Sequence, residues 1–179
     1  DVIKFSIDNN LNGLENLSLI PGTIGGAVFG NAGAYGAEIK DLVYEIEVLD
    51  VASGEVIIFE KDNCEFDYRS SVFKKEKKYV ILSVILKLNK DNNFNINYAD
   101  IKKEIELSNI EINSKNISNI ICCIRKNKLP DVKVLGCAGS FFKNPVIDSE
   151  KFNLLKSKFP DLISYDLNNG SYKLAAGWL

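Results

Sequence analysis

The feature that most constrains this chain is a glycine-rich but apolar stretch, LIPGTIGGAVFGNAGAYGAEI, at residues 19–39. It holds six of the chain's 12 glycines, at positions Gly22, Gly25, Gly26, Gly30, Gly33 and Gly36. A flexible linker would be rich in small polar residues, whereas these glycines are interleaved with large apolar side chains. The stretch therefore predicts a packed backbone that something else approaches closely, because glycine leaves the backbone without a side chain.

Two explanations fit these glycines. Backbone N–H groups of PGTIGGA could converge on an anion such as a pyrophosphate, assisted by the positive end of a nearby helix. The same glycines would also let a helix pack tightly on a sheet. The spacing matches neither the dinucleotide fingerprint G-x-G-x-x-G nor the P-loop, in which Lys and then Ser or Thr close the motif. The residues alone leave both explanations open.

Charge and composition limit the classes of function. The 179 residues carry a net charge of −2, so no overall field would hold nucleic acid or an anionic membrane. The sequence has no apolar run of membrane-spanning length and nothing typical of a signal peptide, so we expect a cytoplasmic protein. The chain has no His, and its cysteines lack zinc-site spacing. We expect no metal site, and free buried thiols at Cys64, Cys122, Cys123 and Cys137.

Local patterns predict strands in the first half of the chain. Residues 2–7 alternate as a strand, and residues 41–50 and 55–61 form two strands joined by the turn ASG. Residues 77–88 form a longer apolar strand whose β-branched side chains suit a sheet buried on both faces. A short helical turn is predicted in NGLENLSL, between the first strand and the glycine stretch.

The second half of the chain changes to helical spacing. Helices are predicted within residues 99–107, 114–128 and 148–159. Strands first and helices later are typical of an α+β fold. The change of period predicts a strand-rich lobe at 1–90 and a mixed lobe at 91–179.

Two polar positions have the chemistry of a reactive site. The chain relies on Lys and keeps only two arginines, Arg69 and Arg125, which favours places where a planar guanidinium matters. Arg69 lies in CEFDYRSSVFK, where the alternative is a surface ion pair with Asp67 or Glu65. Ser140, in GCAGSFFKNP, could donate a proton in a half-apolar pocket, although a single Ser is usually structural. Without His it has no base for a catalytic triad.

Four motifs, taken in order, resemble the UDP-N-acetylenolpyruvoylglucosamine reductase (UDP-N-acetylmuramate dehydrogenase) family. They are LIPGTIGGAVFGNAGAYGAEI, CEFDYRSSVFK, KLPDVKVLGCAGSFFKNP and KLAAGWL, and the resemblance covers residues 2–179. NINYADI resembles the members that have a substrate-lid tyrosine. The resemblance implies an FAD-binding domain of the vanillyl-alcohol-oxidase type at 1–90 and a mixed α/β substrate-binding domain at 91–179.

The resemblance also implies the reaction and its partners. NADPH would reduce FAD, and the flavin would reduce UDP-N-acetylglucosamine enolpyruvate to UDP-N-acetylmuramate for peptidoglycan synthesis. We expect a monomer that binds the UDP-sugar and NADPH but neither nucleic acid nor membrane. The stretch at 19–39 would then let FAD lie against bare backbone.

Individual residues take roles from the same resemblance. Arg69 would stabilise the enolate-like intermediate, and Ser140 would give the proton to the substrate. Substrate binding is implied for Tyr68, Tyr98, Arg125, Lys128 and Asn144, with Arg125 near the flavin and nucleotide. Cofactor binding is implied for Ile20, Pro21, Gly22, Gly25, Gly26, Asn31, Ala32, Gly33 and Ile81.

Some family features match no residue of this sequence. These are an N-terminal flavin-binding loop and a distal catalytic glutamate. We therefore expect an internal fragment that by itself neither holds FAD tightly nor turns over substrate. Two alternatives are another flavoprotein of the same fold, which would not need YRSS and GSFFKNP together, and a non-catalytic nucleotide-sugar binding module, which would not need Ser140.

Overall fold

The computed structural model of the protein describes residues 1–131, 133–137 and 140–178. The fold is α+β, as predicted, and the chain divides into two compact units, Asp1–Lys128 and Leu129–Leu179. This division lies at a different position from the boundary predicted at residue 90, and the assignment of flavin and substrate binding to two lobes stays a prediction. Within the described ranges, the structure has no helix with the length and apolar character needed to cross a membrane.

The first unit begins with helix α1 (Val2–Asp8), where the sequence predicted a strand. The side chain of Ser6 is buried and donates a hydrogen bond to the carbonyl oxygen of Ile3 at 2.8 Å, while Phe5 is 65% exposed. The strand prediction was wrong because a short apolar run does not distinguish the period of a helix from that of a strand. The helical turn predicted next is present as a 3₁₀ helix at Glu15–Leu17.

The glycine stretch forms helix α2 (Ile24–Phe29) and a small hairpin of β1 (Gly33–Ala34) and β2 (Ala37–Glu38). The hydroxyl of Thr23 caps α2 by accepting a hydrogen bond from the backbone N–H of Gly26 at 3.1 Å. Apolar side chains between the glycines join the core, Val28 being fully buried. The stretch is therefore structured backbone, which agrees with its apolar composition.

The central sheet of the first unit has three antiparallel strands, β3 (Val43–Asp50), β4 (Val56–Glu60) and β5 (Tyr79–Leu86). β3 lies in the middle, between β4 and β5, and β3 with β4 is the predicted hairpin. Ile46 and Val48 of β3 are fully buried in the main core.

One prediction about β5 was wrong. The sequence predicted a strand buried on both faces, but Val80, Leu82 and Ile85 are each about half exposed. Their neighbours Ile81 and Val84 pack against the main core. An antiparallel sheet can cover one face and leave the other to solvent, so a continuous apolar run does not require two covered faces.

The first unit continues with a short helix and ends with two longer ones, α3 (Val72–Lys75), α4 (Ala99–Ser108) and α5 (Ser114–Lys128). Helical spacing predicted both α4 and α5. Ile101 of α4 packs with Ile117 and Ile121 of α5 in a second apolar cluster, and all three side chains are buried. The cluster fixes the first turn of α4 against the middle of α5.

In its described residues, the second unit has three short strands and one helix: β6 (Val146–Asp148), α6 (Ser149–Lys158), β7 (Ser164–Asp166) and β8 (Ser171–Leu174). β8 lies between β6 and β7 in an antiparallel sheet. Asp148 caps α6 by accepting the backbone N–H of Lys151 at 2.8 Å. Among the described residues of this unit, only Leu162 and Leu174 are buried apolar side chains.

The four thiols differ in burial. Cys64 is buried, Cys122 is half-buried, and Cys123 and Cys137 are exposed. The prediction of buried thiols is therefore confirmed for Cys64 alone. It was wrong for the two exposed cysteines because hydrophobicity does not say on which side of a helix or loop a residue lies.

Candidate functional site

A cleft of about 850 Å³ lies beside the glycine stretch in the first unit. Its lining includes α1, the loop before α2 and one side of α5. Five of the predicted cofactor-binding residues line it: Ile20, Pro21, Gly22, Gly26 and Ala32. The cleft is thus formed in part by the residues that sequence reasoning selected for a cofactor.

Gly22 presents bare backbone to this cleft. Its φ of +114° lies in a region that side-chain-bearing residues rarely adopt, and a Cβ built on it would meet nothing within 4 Å. The next residue, Thr23, caps α2, whose first N–H groups have no partner inside the helix. Open space beside such N–H groups fits a phosphate-bearing cofactor such as FAD.

Two other glycines differ in how closely they are packed. A Cβ on Gly25 would lie 3.7 Å from the side chain of Ile81, which is an ordinary van der Waals contact, so packing of α2 on β5 does not by itself require a glycine there. A Cβ on Gly33 would lie only 2.9 Å from Cγ of Glu38 and 3.0 Å from Nη1 of Arg69. Open backbone at Gly22 and close packing at Gly33 therefore concern different glycines of one stretch.

Arg69 is bonded to the glycine stretch. Its Nη2 donates a hydrogen bond to the carbonyl oxygen of Gly33 at 2.7 Å, and its Nη1 donates one to that of Asn31 at 3.3 Å. Nη1 also lies 3.8 Å from the carboxylate of Glu38, and the guanidinium carbon lies 5.1 Å from the ring centre of Tyr68. These contacts bring one predicted catalytic residue onto the predicted cofactor segment.

The sequence-local ion pair considered as the alternative for Arg69 is not what the structure shows. The carboxylate of Glu65 pairs instead with Lys75 at 2.8 Å. The carboxylate of Asp67 accepts a hydrogen bond from the backbone N–H of Tyr68 at 2.7 Å. Arg69 itself has a φ of +56°, so the backbone turns sharply at this residue.

Asn31 is fully buried, and its side chain is hydrogen-bonded to three residues around Arg69. Its Nδ2 donates hydrogen bonds to the carboxylate of Glu38 at 3.1 Å and to the carbonyl oxygen of Asp67 at 2.9 Å. Its Oδ1 accepts the backbone N–H of Lys40 at 3.3 Å. The hydrogen bond that the Lys40 ammonium donates to the carboxylate of Glu38 raises the pKa of Lys40. The backbone of Asn31 is engaged as well, since its N–H donates a hydrogen bond to the carbonyl oxygen of Val28 at 3.1 Å and its carbonyl oxygen accepts one from Arg69. The contact of Asn31 with a cofactor stays a prediction.

Tyr98 and Lys128, both predicted to bind substrate, belong to a second polar cluster. Tyr98 is the cap residue before α4, and its ring packs edge-to-face with Tyr35 at 5.1 Å between ring centres. Lys128, the last residue of α5, forms an ion pair with Asp100 in the first turn of α4. The hydrogen bond with Asp100 is the main cause that raises the pKa of Lys128, and the charges of Asp100, Tyr98 and Tyr35 contribute.

Ser140 and Asn144 belong to the second unit. Ser140 is exposed in an irregular segment next to residues 138 and 139, which lie outside the described residues. Phe141 is 79% exposed and packs edge-to-face with Phe142. Asn144 accepts the backbone N–H of Ala176 at 2.9 Å, so it joins GSFFKNP to KLAAGWL. The roles of Ser140 and Asn144 in a reaction stay predictions.

Comparison with known proteins adds the deciding observation. Residues 4–60 match the family described as FAD binding domain. A UDP-N-acetylenolpyruvoylglucosamine reductase from Bdellovibrio bacteriovorus is 45% identical over 181 residues, which cover 100% of this chain and 54% of that protein. The enzyme of the same name from Pseudomonas aeruginosa is 44% identical over 99% of this chain and 53% of its own length. Over the length that it spans, the chain is similar in sequence to UDP-N-acetylenolpyruvoylglucosamine reductases.

The chain spans about half the length of the curated reductases that it matches. A crystal structure of UDP-N-acetylenolpyruvylglucosamine reductase from Thermus caldophilus shares its fold, with a TM-score of 0.57 at 22% identity. That alignment covers 97% of this chain and 57% of the Thermus chain. The α+β fold and the flavin-domain similarity of the first residues are thus supported by independent comparisons.

The residues of α5 that line the cleft were not predicted from the sequence. Lys115, Ser118, Asn119 and Cys122 line the cleft opposite the glycine stretch, and the hydroxyl oxygens of Ser118 and Ser18 are hydrogen-bonded at 2.8 Å. Their spacing of three and four residues is the signal that could have identified them as one helical face. Arg125 follows Cys122 by three residues, so it extends this face by one turn.

Proposed function

We propose that this chain supplies part of the FAD site and part of the substrate site of a UDP-N-acetylenolpyruvoylglucosamine reductase. The reaction is the NADPH-dependent reduction of UDP-N-acetylglucosamine enolpyruvate to UDP-N-acetylmuramate in the cytoplasm. The observation that carries the proposal is the bonding of Arg69 to the carbonyl groups of Asn31 and Gly33. It attaches the candidate catalytic guanidinium to the segment that would hold the cofactor.

FAD would be held by the backbone at Pro21, Gly22 and the start of α2, where the cleft is open and the first two N–H groups of the helix, before the Gly26 N–H that Thr23 caps, are left for a pyrophosphate. When bound, FAD supplies the transfer of hydride from NADPH to the substrate. Ala32 and Ile20 line the same cleft and would exclude water from the bound cofactor.

Arg69 would bind the carboxylate of the enolpyruvyl group, where negative charge grows as hydride arrives. A guanidinium has five N–H donors, and the bonds to Asn31 and Gly33 leave others for a substrate oxygen. Because those bonds fix its plane before substrate binds, the charge-assisted hydrogen bonds need little reorganisation. Ser140 would then donate its proton to the neighbouring carbon.

Lys128 and Tyr98 would bind the diphosphate of the UDP-sugar, together with Tyr68, Arg125 and Asn144. An ammonium is a compact point charge that suits phosphate oxygens, and a phenol donates one further hydrogen bond. The first two residues lie in one cluster around Asp100. That proximity supports a shared role in binding one ligand group.

A chimeric enzyme tests the proposal. Residues 1–179 replace the 181 matching residues of the Bdellovibrio reductase. We expect the purified chimera to carry FAD and to oxidise NADPH when UDP-N-acetylglucosamine enolpyruvate is added. A chimera that holds FAD and binds the UDP-sugar but never oxidises NADPH would favour a binding module. A flavin-loaded chimera that reacts with O₂ but not with the UDP-sugar would favour another flavoprotein.

Arg69→Lys in the chimera tests the role of the guanidinium. It keeps the charge but loses the planar fork, so FAD should stay bound while reoxidation of the reduced flavin by substrate slows about 10²- to 10³-fold. Lys75→Arg, at an exposed position six residues later, is the matched control and should leave both properties unchanged. An unchanged rate in Arg69→Lys would remove Arg69 from the mechanism.

A further inference from the structure

Asp100 lies beside two predicted substrate-binding residues, Lys128 and Tyr98, and is not itself one of the predicted site residues. Its carboxylate forms a short ion pair with the ammonium of Lys128, and Tyr98 precedes it by two residues. We propose that Asp100 is a positioning residue that holds the Lys128 ammonium beside Tyr98, ready to bind a diphosphate. This inference rests on the proposed function, which gives Lys128 and Tyr98 to the substrate.

Lys128 needs such an anchor because of its place in the helix. It is the last residue of α5, and its side chain is 58% exposed. A long exposed lysine loses its rotational freedom when it binds an anion, and this loss weakens binding. An ion pair that already restricts the side chain in the unliganded protein removes part of that loss.

Asp100 is itself well fixed. It lies in the first turn of α4, where the helix dipole favours a carboxylate. The next residue, Ile101, is fully buried against Ile117 and Ile121 of α5, so the backbone of this turn is attached to the helix that carries Lys128. The anchor and the anchored ammonium therefore belong to one packed helix pair.

The ion pair is compatible with anion binding. A lysine ammonium has three N–H donors, so a bond to Asp100 leaves two for phosphate oxygens. The side chain of Asp100 is 41% exposed, so the high dielectric constant of the surrounding water weakens the repulsion between its carboxylate and a bound phosphate. The Asp100→Asn variant decides whether orientation of the ammonium outweighs the repulsion that remains.

The affinity of the 179-residue chain for UDP, measured by isothermal titration calorimetry, tests this role. Asp100→Asn should weaken UDP binding about three- to tenfold, and Asp100→Glu should recover part of the loss. Glu104→Gln removes the same charge from the same helix at an exposed position one turn after Asp100 and should change the affinity less than about twofold. Equal or tighter binding by Asp100→Asn would overturn the proposal.

A double-mutant cycle separates positioning from general stability. In a Lys128→Met background, Asp100→Asn should have no further effect on UDP binding, because the group that it positions is gone. A loss that persists in that background would overturn the proposal. If the wild-type chain binds no UDP, the proposed substrate fails and this inference fails with it. If the wild-type chain binds UDP and Asp100→Asn binds it equally well, only this inference fails.

Discussion

The two units of the chain differ in how they hold their candidate catalytic residues. In the first unit the guanidinium of Arg69 donates hydrogen bonds to the carbonyl oxygens of Asn31 and Gly33, and Asn31 is fully buried. Large buried side chains such as Phe73 form the core of this unit. In the second unit Ser140 is exposed, and two leucines are the only buried apolar side chains among the described residues. The first unit thus fixes its candidate residue by hydrogen bonds and packing, whereas the second carries its candidate residue on a lightly packed surface.

This difference teaches that the two candidate residues depend to different degrees on the packing around them. Substitution in the first unit should act on stability and on the shape of the Arg69 turn together. Substitution of the exposed Ser140 should act on chemistry alone, because few contacts depend on it. The following predictions test that contrast.

The largest expected effect is that of Ser140→Ala in the chimeric enzyme. Reduction of FAD by NADPH should be spared, while reoxidation by the UDP-sugar should slow by about 10²- to 10⁴-fold, as expected for a lost general acid. Stopped-flow absorbance separates the two half-reactions. Ser157→Ala, in α6 of the same unit, is the control and should slow neither. Equal slowing of both half-reactions would indicate a structural role for Ser140 and would break the comparison.

Phe73→Ala should cause the largest loss of stability. Phe73 is 1% exposed and packs against the rings of Phe59 and Tyr79, so its removal should cost about 3–5 kcal/mol. Phe141→Ala removes the same atoms from an exposed position and should change the unfolding free energy by less than about 0.5 kcal/mol. Urea unfolding of each variant measures the difference. Similar losses would show that the second unit has a core comparable to the first.

Thiol reactivity should differ strongly between the units. Burial, followed by the charge of Asp62, raises the pKa of Cys64 to about 11. Since the thiolate is the reactive form, about one Cys64 in a thousand is ionised at pH 8. In variants that keep one cysteine each, iodoacetamide should alkylate exposed Cys137 at least about a hundredfold faster than Cys64. The rate at Cys64 should rise as pH approaches 11 or when urea unfolds the chain. Equal rates in the native chain would contradict the burial of Cys64.

Gly33→Ala should have the smallest of these effects. The added methyl would press on Glu38 and Arg69, and overpacking of this kind costs about 1–3 kcal/mol. Gly177→Ala, in the second unit, would place its methyl where nothing lies within 4 Å, and should be close to neutral. Thermal unfolding of the two variants gives the comparison. A neutral Gly33→Ala would mean that the Arg69 turn moves easily, which would weaken the case for a preorganised guanidinium.

Much of the local structure followed from the sequence. Helical spacing predicted α4, α5 and α6, and β-branched runs around ASG predicted the β3–β4 hairpin, because these signals depend on neighbours within one or two turns. The glycine stretch correctly indicated close backbone approach. Resemblance in four ordered motifs selected the family to which the comparisons also lead.

The tertiary structure decided what no local pattern contains. Whether residues 2–7 form a strand or a helix, and which face of β5 meets solvent, depended on the elements that pack against them. Arg69 reaches the carbonyl oxygen of Gly33 across 36 residues of sequence, and Lys128 reaches Asp100 across 28. The sequence by itself determined which residue types are present and where α4, α5, α6 and the turn between β3 and β4 lie. Which charged groups meet was decided by packing of distant segments, because side-chain pairing depends on distance in space and not on separation along the chain.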